Sequence, residues 1–600
     1  MAQQQQPSQN DLAAVIDLLH NNGVAITNER AAYEALEHHR ANPTFCVALS
    51  ILFGSQQPPA PLPAGAAGWA VYRQLAGVTL KNNVEQRLGA PAISTAAQIS
   101  LEVLRNGESP VLVRTAAQII TKITTIAGLA FWDGIGGAPG YLATLLIGPG
   151  GLMLSASPMQ ILGALYCVQY LLEDVPKQIG ESSAVIVERV VNSVVIVHSD
   201  LAVRKAAFRV ATHPYELGAA LDWNVEVLSP LQTGLCHASV HLARATCFVV
   251  DNGDAGRDPV VMTLALRAAH MLIDYLDYFP SQMARSGEFE ELCSKWVGMA
   301  VASVQRVGSD DRESAAAAAD FLGYIADAYE RSGGEGVISQ LANLVQQALP
   351  VLLPALVDHA VMADEEIASI LETDHYSKRD ASAVQVRGGS AGGQLIEEDQ
   401  LMGEDEAAVT VRRSAGSCIA SCCKLAPMAA FPVVLGAASS GWAHTDPKDW
   451  RRREVGLMVF GAAFDGCCAL MQQSLEAVIP QLAQLASKQD EHICVVSMAL
   501  WVMGKSSSWL MTTAAGAAGL VGSVLQCCCA RLASESKRMQ LAAVTALNAM
   551  FSAGYGSGTM ATLQPFLPAV MQAIFTCLPV YHTSSLQQLC ILALDRKSVV

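Results

Sequence analysis

The 600-residue chain is short of charge. Asp, Glu, Lys and Arg make up 15% of it and aromatic residues 6%, where soluble domains carry about 25% charged residues. Basic residues are the scarcer kind, 38 against 54 acidic ones, for a net charge of −16. Without a basic stripe to release counterions from phosphate, a general nucleic-acid binder is excluded. The 16 cysteines contain no C-x-x-C, and half of them are adjacent or one helical turn apart: Cys418, Cys422 and Cys423; Cys467 and Cys468; Cys527, Cys528 and Cys529. Adjacent helical residues point in different directions and cannot share a metal. These thiols therefore read as small apolar filler in a reducing compartment, not as a zinc or disulfide framework. Residues 1–10 are polar and Gln-rich, without the basic and apolar regions of a secretory signal.

Catalytic signatures are missing too. No H-E-x-x-H occurs, and the single G-x-S-x-G, Gly388 to Gly392, falls in a glycine-rich linker-like run. Gly504-Lys505-Ser506 resembles the tail of a phosphate-binding loop, but Ala499 stands where that loop needs glycine. His198, His270 and His359 are isolated and read as ordinary helix histidines. No enzyme activity, cofactor or metal is expected. The longest uncharged stretch, residues 134–172, is interrupted by Gly136, Gly137, Pro139, Gly148, Pro149, Gly150 and Pro158. The pieces are shorter than the ~20 residues of a membrane span, so no membrane insertion is expected.

What is present is helical periodicity with a repeat. A proline followed by a Leu/Val/Ile-rich run recurs at Pro350, Pro432, Pro480 and Pro568. Proline suits a first helical turn, where its missing N–H would be unpaired anyway, so each is expected to open a helix. Pro432 and Pro480 are 48 residues apart, and Pro480 and Pro568 are 88 apart, twice 44. A second series marks a partner helix: Ser109-Pro110 and Ser199-Asp200 precede Arg114 and Arg204, which are 90 residues apart. Asp310-Asp311-Arg312, Lys448-Asp449-Trp450 and Ser536-Lys537-Arg538 follow the same form. Each offers a Ser or Asp to cap a helix start. A period of about 40–47 residues is that of HEAT and armadillo helix pairs. One pair cannot bury its own apolar face, so pairs stack around a continuous core. The fold class expected is all-α, a HEAT-repeat superhelical solenoid of stacked antiparallel helix pairs. The 52% hydrophobic share is then a one-dimensional core, and residues 134–172 are a loosened repeat.

The period breaks between Pro350 and Pro432, 82 residues apart. Residues 363–407 hold Asp364, Glu365, Glu366, Glu372, Asp374, Asp380, Glu397, Glu398, Asp399, Glu404, Asp405 and Glu406 against Lys378, Arg379 and Arg387, a net charge of −9. The Gly388–Gly393 run has a flexible-linker composition, so a long solvated acidic loop is expected. Trp501 and Trp509, eight residues apart, are expected on one face of one helix. Core packing and an exposed binding platform both remain open for them.

These features occur in an order that resembles the karyopherin-beta (importin-beta) family of nuclear import receptors, of the transportin type. Leu80-Lys81-Asn82-Asn83 is similar to a motif of the family's N-terminal domain. Residues 109–128, Phe131-Trp132, the acidic stretch, Arg412-Arg413-Ser414-Ala415, Asp449 to Gly456, and Trp501 with Trp509 follow in the family's order. The resemblance implies repeats over 1–130 that bind Ran-GTP, middle repeats over 131–362, an acidic release loop over 363–407, and cargo-binding repeats over 408–600. It places cargo contacts at Gly416, Ser417, Met458, Met498, Trp501 and Ala542, which suits an extended proline-tyrosine nuclear localisation signal. It gives the release role to Asp364, Glu365, Glu366, Glu397, Glu398, Asp399, Glu404, Asp405 and Glu406. Leu541 and Ser552 stand where the family carries acids, with Ile591 and Asp595 near a third, so a more apolar cargo is expected. Partners implied are Ran-GTP, cargo with such signals and the phenylalanine-glycine repeats of the nuclear pore, with shuttling between cytoplasm and nucleus. The family continues past the point matched by Val600 with further repeats and a second cargo site, so truncation at the C-terminal end is expected. The alternative is a HEAT-repeat scaffold, such as a phosphatase regulatory subunit, without Ran dependence.

Overall fold

The computed structural model describes residues 7–24, 42–63, 68–84, 90–176, 183–195, 198–220, 238–249, 258–278, 287–306, 312–333, 336–376, 411–444, 446–513 and 519–577, with single positions 34, 36, 38, 39 and 251. Among these residues every regular element is helical and none is a strand. The chain forms two compact units, Met1–Arg285 and Ser286–Val600.

The first unit holds α1 (Gln9–Leu19), α2 (Pro43–Gly54), α3 (Trp69–Asn83), α4 (Ala90–Asn106), α5 (Pro110–Ala127), α6 (Phe131–Gly136), α7 (Tyr141–Ile147), α8 (Pro158–Asp174), α9 (Ser183–Val190), α10 (Leu201–Ala220) and α11 (Pro259–Tyr278). Helices α2 and α3 pair, as do α4 and α5; α5, α8 and α10 then pack side by side. The glycine-rich stretch breaks into α6, α7 and a short 3-10 turn before α8. Gly137 and Gly140, at φ 74° and 68°, make the bend between α6 and α7, a conformation open to glycine at little cost.

The second unit holds α12 (Gly287–Val304), α13 (Arg312–Ser332), α14 (Gly336–His359), α15 (Asp364–Tyr376), α16 (Val411–Leu425), α17 (Pro427–Trp442), α18 (Trp450–Ala462), α19 (Phe464–Ser487), α20 (Ile493–Lys505), α21 (Ser507–Thr512), α22 (Val521–Leu532), α23 (Lys537–Gly556), α24 (Met560–Leu563) and α25 (Leu567–Cys577). Five pairs repeat: α12 with α13, α14 with α16, α17 with α18, α19 with α20, and α22 with α23. First helices line one row (α12, α14, α17, α19, α22, α25) and second helices another (α13, α16, α18, α20, α23). This is the expected architecture, and the acidic stretch falls between the two helices of one pair.

Helix starts follow the sequence. Ser109 Oγ accepts from Leu112 N at 3.3 Å, Asp200 Oδ1 from Val203 N at 3.1 Å and Ser536 Oγ from Met539 N at 3.2 Å, each satisfying a donor orphaned at a helix N-terminus. Asp449 does not cap α18; its carboxylate pairs with His444 at 3.2 Å. Asp310 and Asp311 lie outside the described residues.

The prolines correct the expectation. Pro568 stands in the first turn of α25, but Pro350 and Pro354 lie inside α14, Pro432 inside α17 and Pro480 inside α19. These four internal prolines face solvent. A carbonyl that loses its N–H partner on a solvent-facing side is open to water, which is why an internal proline is tolerated there. Residues 338–359, long and apolar enough to cross a membrane by length and composition, form most of α14, which packs on α12, α13, α16 and α17.

One polar device recurs. Arg73 on α3 donates from Nε to Phe53 O at 3.1 Å, near the end of its pair partner α2, and pairs with Glu108, which precedes α5. Arg412 on α16 donates to Ala360 O at 2.6 Å, just past its partner α14, and holds both carboxylate oxygens of Glu454 on α18 at 2.6 and 3.0 Å. Arg453 on α18 donates to His444 O at 3.2 Å and Asp446 O at 2.6 Å, just past α17, and to Glu491 before α20 at 2.7 Å. Each guanidinium caps carbonyls at or beyond the end of one helix and ties its pair to an acid of the next, using the planar fork of arginine. The side chains of Arg412 and Glu454 are 2% and 0% exposed, so either left alone would be a buried charge.

Glu454→Leu is therefore expected to destabilise the second unit by about 3–5 kcal/mol. The double change Arg412→Met/Glu454→Leu should recover most of that loss. Urea titrations followed by circular dichroism check this; equal loss in the single and double variants would remove the ion pair from the account.

Candidate functional site

The residues assigned to cargo lie on consecutive second helices: Gly416 and Ser417 on α16, Met458 on α18, Met498 and Trp501 on α20, and Ala542 on α23. The row is real, because α16 packs on α18, α18 on α20 and α20 on α23. The side chains do not present a platform. Met458 and Ala542 are 0% exposed, Met498 1% and Trp501 4%, and of the six only Ser417 faces solvent. Helix α18 is buried from Arg453 to its end and α20 from Cys494 to Gly504.

The cause is close helix approach. A Cβ on Gly461 would stand 2.0 Å from Cζ3 of Trp501, and one on Gly504 would stand 3.1 Å from the Ala546 backbone. Glycine on α18 leaves the hollow that the indole fills. The Trp501 Nε1 has no hydrogen-bond partner among the described residues. Lys505 Nζ stands 5.7 Å from the ring centroid and 3.4 Å from Asp465. Of the two readings open for Trp501, core packing is the one the geometry shows. Trp509 is buried as well but does not share its helix, since α20 ends at Lys505 and α21 begins at Ser507. Leu541 is buried in α23; Ile591 and Asp595 lie outside the described residues. At the N-terminal motif, Leu80 and Asn83 are buried at the end of α3, Asn82 is exposed, and Asn83 Nδ2 donates to Thr79 O at 2.7 Å.

The acidic stretch does not begin as a loop. Asp364, Glu365 and Glu366 open α15, which runs to Tyr376, while Glu397, Glu398, Asp399, Glu404, Asp405 and Glu406 lie outside the described residues. A composition count could not see this helix: its apolar residues are few and its acids many. Met362 and Ile370 bury against Cys494 of α20, with Ile367, Trp450 and Ile493 closing the cluster. The charges at either end are placed as well. Asp364 pairs with Arg451 in the first turn of α18, and Asp374 Oδ1 accepts from Arg538 N, in the first turn of α23, at 3.1 Å. Acids at helix N-termini complement the positive end of the helix dipole. Helix α15 thus reaches the N-terminal ends of α18, α20 and α23, the helices that carry Met458, Met498, Trp501 and Ala542.

His492 completes that contact. Its ring stacks on Trp450 with centroids 3.6 Å apart, and Nδ1 accepts from Cys494 N at 3.3 Å as the cap of α20. Burial holds its pKa below the usual imidazole range; Glu491 opposes that shift, while Arg538, Arg451 and Arg453 add to it. The ring therefore stays neutral and can accept. The described cysteines are free thiols, mostly buried, and no group of three or more His, Cys, Asp or Glu among the described residues could hold a metal ion.

No family profile and no curated protein matches the sequence. Solved structures do. Yeast importin-beta, Kap95p, aligns at a TM-score of 0.64 with 15% identity, over 98% of this chain and 61% of that one. A complex of Kap95p that induces the switch loops of RanGDP to adopt the GTP-bound conformation aligns at 0.60 with 14% identity, over 98% and 60%. A Kap121p variant aligns at 0.51 with 13% identity, over 98% and 48%. The chain spans about three fifths of the length of Kap95p. At these identities the likeness establishes a karyopherin-like HEAT solenoid and does not reach the transportin branch.

Two outcomes test the site's packing. Gly461→Ala should cost about 1–3 kcal/mol by overpacking against the indole, and Trp501→Leu in that background should restore part of it; thermal denaturation of both variants decides. As pH falls below ~6.5, the free imidazole value, and then through the lowered pKa of His492, the charged ring loses its acceptor role. The stability it gives the α15 contact is thus present above ~6.5 and lost on acidification. Faster amide exchange in α15 at pH 5 than at pH 7, corrected for intrinsic rates, is the expected reading.

Proposed function

We propose that the protein is a cargo carrier of the nuclear-transport type, with its peptide site on the second-helix row and its acidic stretch as the release element. The observation that carries this reading is α15. The first third of the acidic stretch is docked on the N-terminal ends of three of the four helices that hold the assigned cargo residues, and the same segment continues into a strongly acidic run. The karyopherin-like fold supports the same reading, as does the presence of Ran with one neighbour and Nup1 with another.

In this proposal a proline-tyrosine signal binds along Gly416, Ser417, Met458, Met498, Trp501 and Ala542. Five of those six residues are closed between helices here, so binding requires α18 and α20 to slide apart until Trp501 lifts from Gly461. Stacked pairs permit this, because each contact changes little while the sum along the row is large. Ran-GTP engages the repeats over 1–130, where Leu80–Asn83 lie, and the acidic stretch over 363–407 then competes with cargo. Contacts with nuclear pore repeats and shuttling between cytoplasm and nucleus belong to the same proposal. The burial of Trp501 favours a second reading, a HEAT scaffold without Ran dependence.

The two readings separate in a binding experiment. Ran loaded with a non-hydrolysable GTP analogue is expected to bind at least tenfold more tightly than Ran-GDP and to displace a fluorescent proline-tyrosine signal peptide. Replacing Glu397, Glu398, Asp399, Glu404, Asp405 and Glu406 by their amides should leave peptide affinity unchanged and slow that displacement. Equal affinity for both nucleotide states would sink the carrier reading in favour of the scaffold.

A further inference from the structure

Helix α15 is fastened by its apolar side. Ile370 is buried and Ile367 partly so, while Leu371 faces solvent. With Met362 just ahead of the helix, the two isoleucines close over Trp450 at the start of α18 and over Ile493 and Cys494 at the start of α20. Glu366 Oε2 accepts from Ala363 N at 2.9 Å, which satisfies a donor at the helix start. At the far end Asp374 Oδ1 accepts from Arg538 N of α23, and Arg538 Nε donates to Ser497 Oγ of α20 at 3.2 Å. One short helix thus spans the first turns of three consecutive members of the second-helix row. The Asp364–Arg451 pair adds little, because the Asp364 side chain is 83% exposed.

The closed row involves the same helices. Met458 on α18 and Met498 on α20 are both buried. Met498 is five residues past Ile493, about 8 Å along the helix at 1.5 Å per residue. A tilt of α20 about a fixed first turn lifts Trp501, eight residues along, from Gly461 but leaves Met498 covered. An extended peptide that touches Met458, Met498 and Trp501 needs the first turns to part as well, and those are what α15 joins. We infer that α15 is an autoinhibitory clamp: docked, it holds α18, α20 and α23 at their closed spacing, and its release is the step that admits cargo. On the cargo reading of the row, which this presupposes, the described part of the acidic stretch acts before cargo arrives as well as at its release. A peptide that binds only the open row loses affinity in proportion to the fraction of molecules that are closed. The coupling is reciprocal, so bound peptide disfavours the docked helix to the same extent. The fastening is also small enough to be reversible. A 13-residue helix is marginal in isolation, and three apolar side chains hold this one, which puts it among the parts of a fold that open most readily.

Hydroxyl-radical footprinting of the full-length protein, read by mass spectrometry, separates the two events, since Met362 reports on α15 and Met458 and Met498 on the row. Ile367→Asp/Ile370→Asp puts two unpaired charges into the apolar cluster and expels the helix. Ala368→Asp/Leu371→Asp puts the same charges on its solvent side. The isoleucine variant is expected to raise oxidation of Met362, Met458 and Met498 about threefold or more, and the solvent-side variant to leave all three as in the parent protein. Circular dichroism confirms that both variants are folded. The isoleucine variant should also bind a fluorescein-labelled proline-tyrosine signal peptide about threefold more tightly. Without any substitution, titrating the parent protein with that peptide should raise Met362 oxidation as the site fills. Met458 and Met498 still protected once Met362 is exposed, Met362 still protected in the isoleucine variant, equal oxidation in the two variants, unchanged peptide affinity, or bound peptide without a rise at Met362 would each overturn the clamp. If the peptide binds neither protein, the carrier reading fails, and the footprint alone decides whether α15 holds the row closed.

Discussion

The rest of the second unit depends on the way Arg412 holds Glu454. Removing both groups from water is costly, and the attraction repays it only with good geometry and with every remaining proton satisfied. Here the fork is met by two carboxylate oxygens and by Ala360 O. That single arrangement fixes three things: where α14 ends, how α16 lies on it, and how far α18 sits from both. Arg453 with Glu491 repeats the constraint one pair later, and Arg73 with Glu108 uses it in the first unit. At Glu108 the hydrogen bond from Arg73 is the main influence that keeps the carboxyl below its usual pKa. Apolar burial supplies most of the driving force in a stack of this kind, but it is non-directional. The arginines supply the register.

With register set, the second helices can approach closely only where at least one of the facing residues is small. Gly461 admits the Trp501 ring and Gly504 meets Ala546, while within one pair Gly441 on the first helix α17 meets the backbone of Arg452 and Gly456 on α18. This explains an apparent contradiction in the site. Residues that suit an apolar peptide groove are present on successive helices, yet their side chains are spent on contacts between those helices. A row packed in this way is ligand-accessible only through a change in helix spacing, so whatever binds there must be coupled to the geometry of the stack.

Helix α15 stands where that spacing is exposed. It rests on the ends of α18, α20 and α23, through an apolar cluster at Ile370 and acids placed near two of the three N-termini. Its charges are used in two ways at once: Asp364 and Asp374 hold the helix down, while Glu366 lies in its first turn, where the dipole favours it. An acidic segment that is partly docked helix differs physically from a solvated tether. It contributes to the packing of the row.

Much of this was legible in the residues. The helical class, the 40–47-residue repeat, the caps at Ser109, Asp200 and Ser536 and the interruption after Pro350 all rest on local signals, which neighbours in sequence carry. The arginines were visible as well, but their acids are 35 to 42 residues away, and no local rule links such partners. The internal prolines were misplaced because the same Pro-plus-apolar pattern serves a helix start and a solvent-facing position inside a helix; only the packed row distinguishes them. Trp501 could not be assigned to core or groove from periodicity, since an indole at a helical position is apolar in either case. Its fate was decided by a glycine 40 residues earlier. The sequence by itself determined a repeating all-helical stack with one acidic interruption. Tertiary structure decided which faces of those helices are available, because burial depends on what lies across the contact, and that is set by residues one or more repeats away.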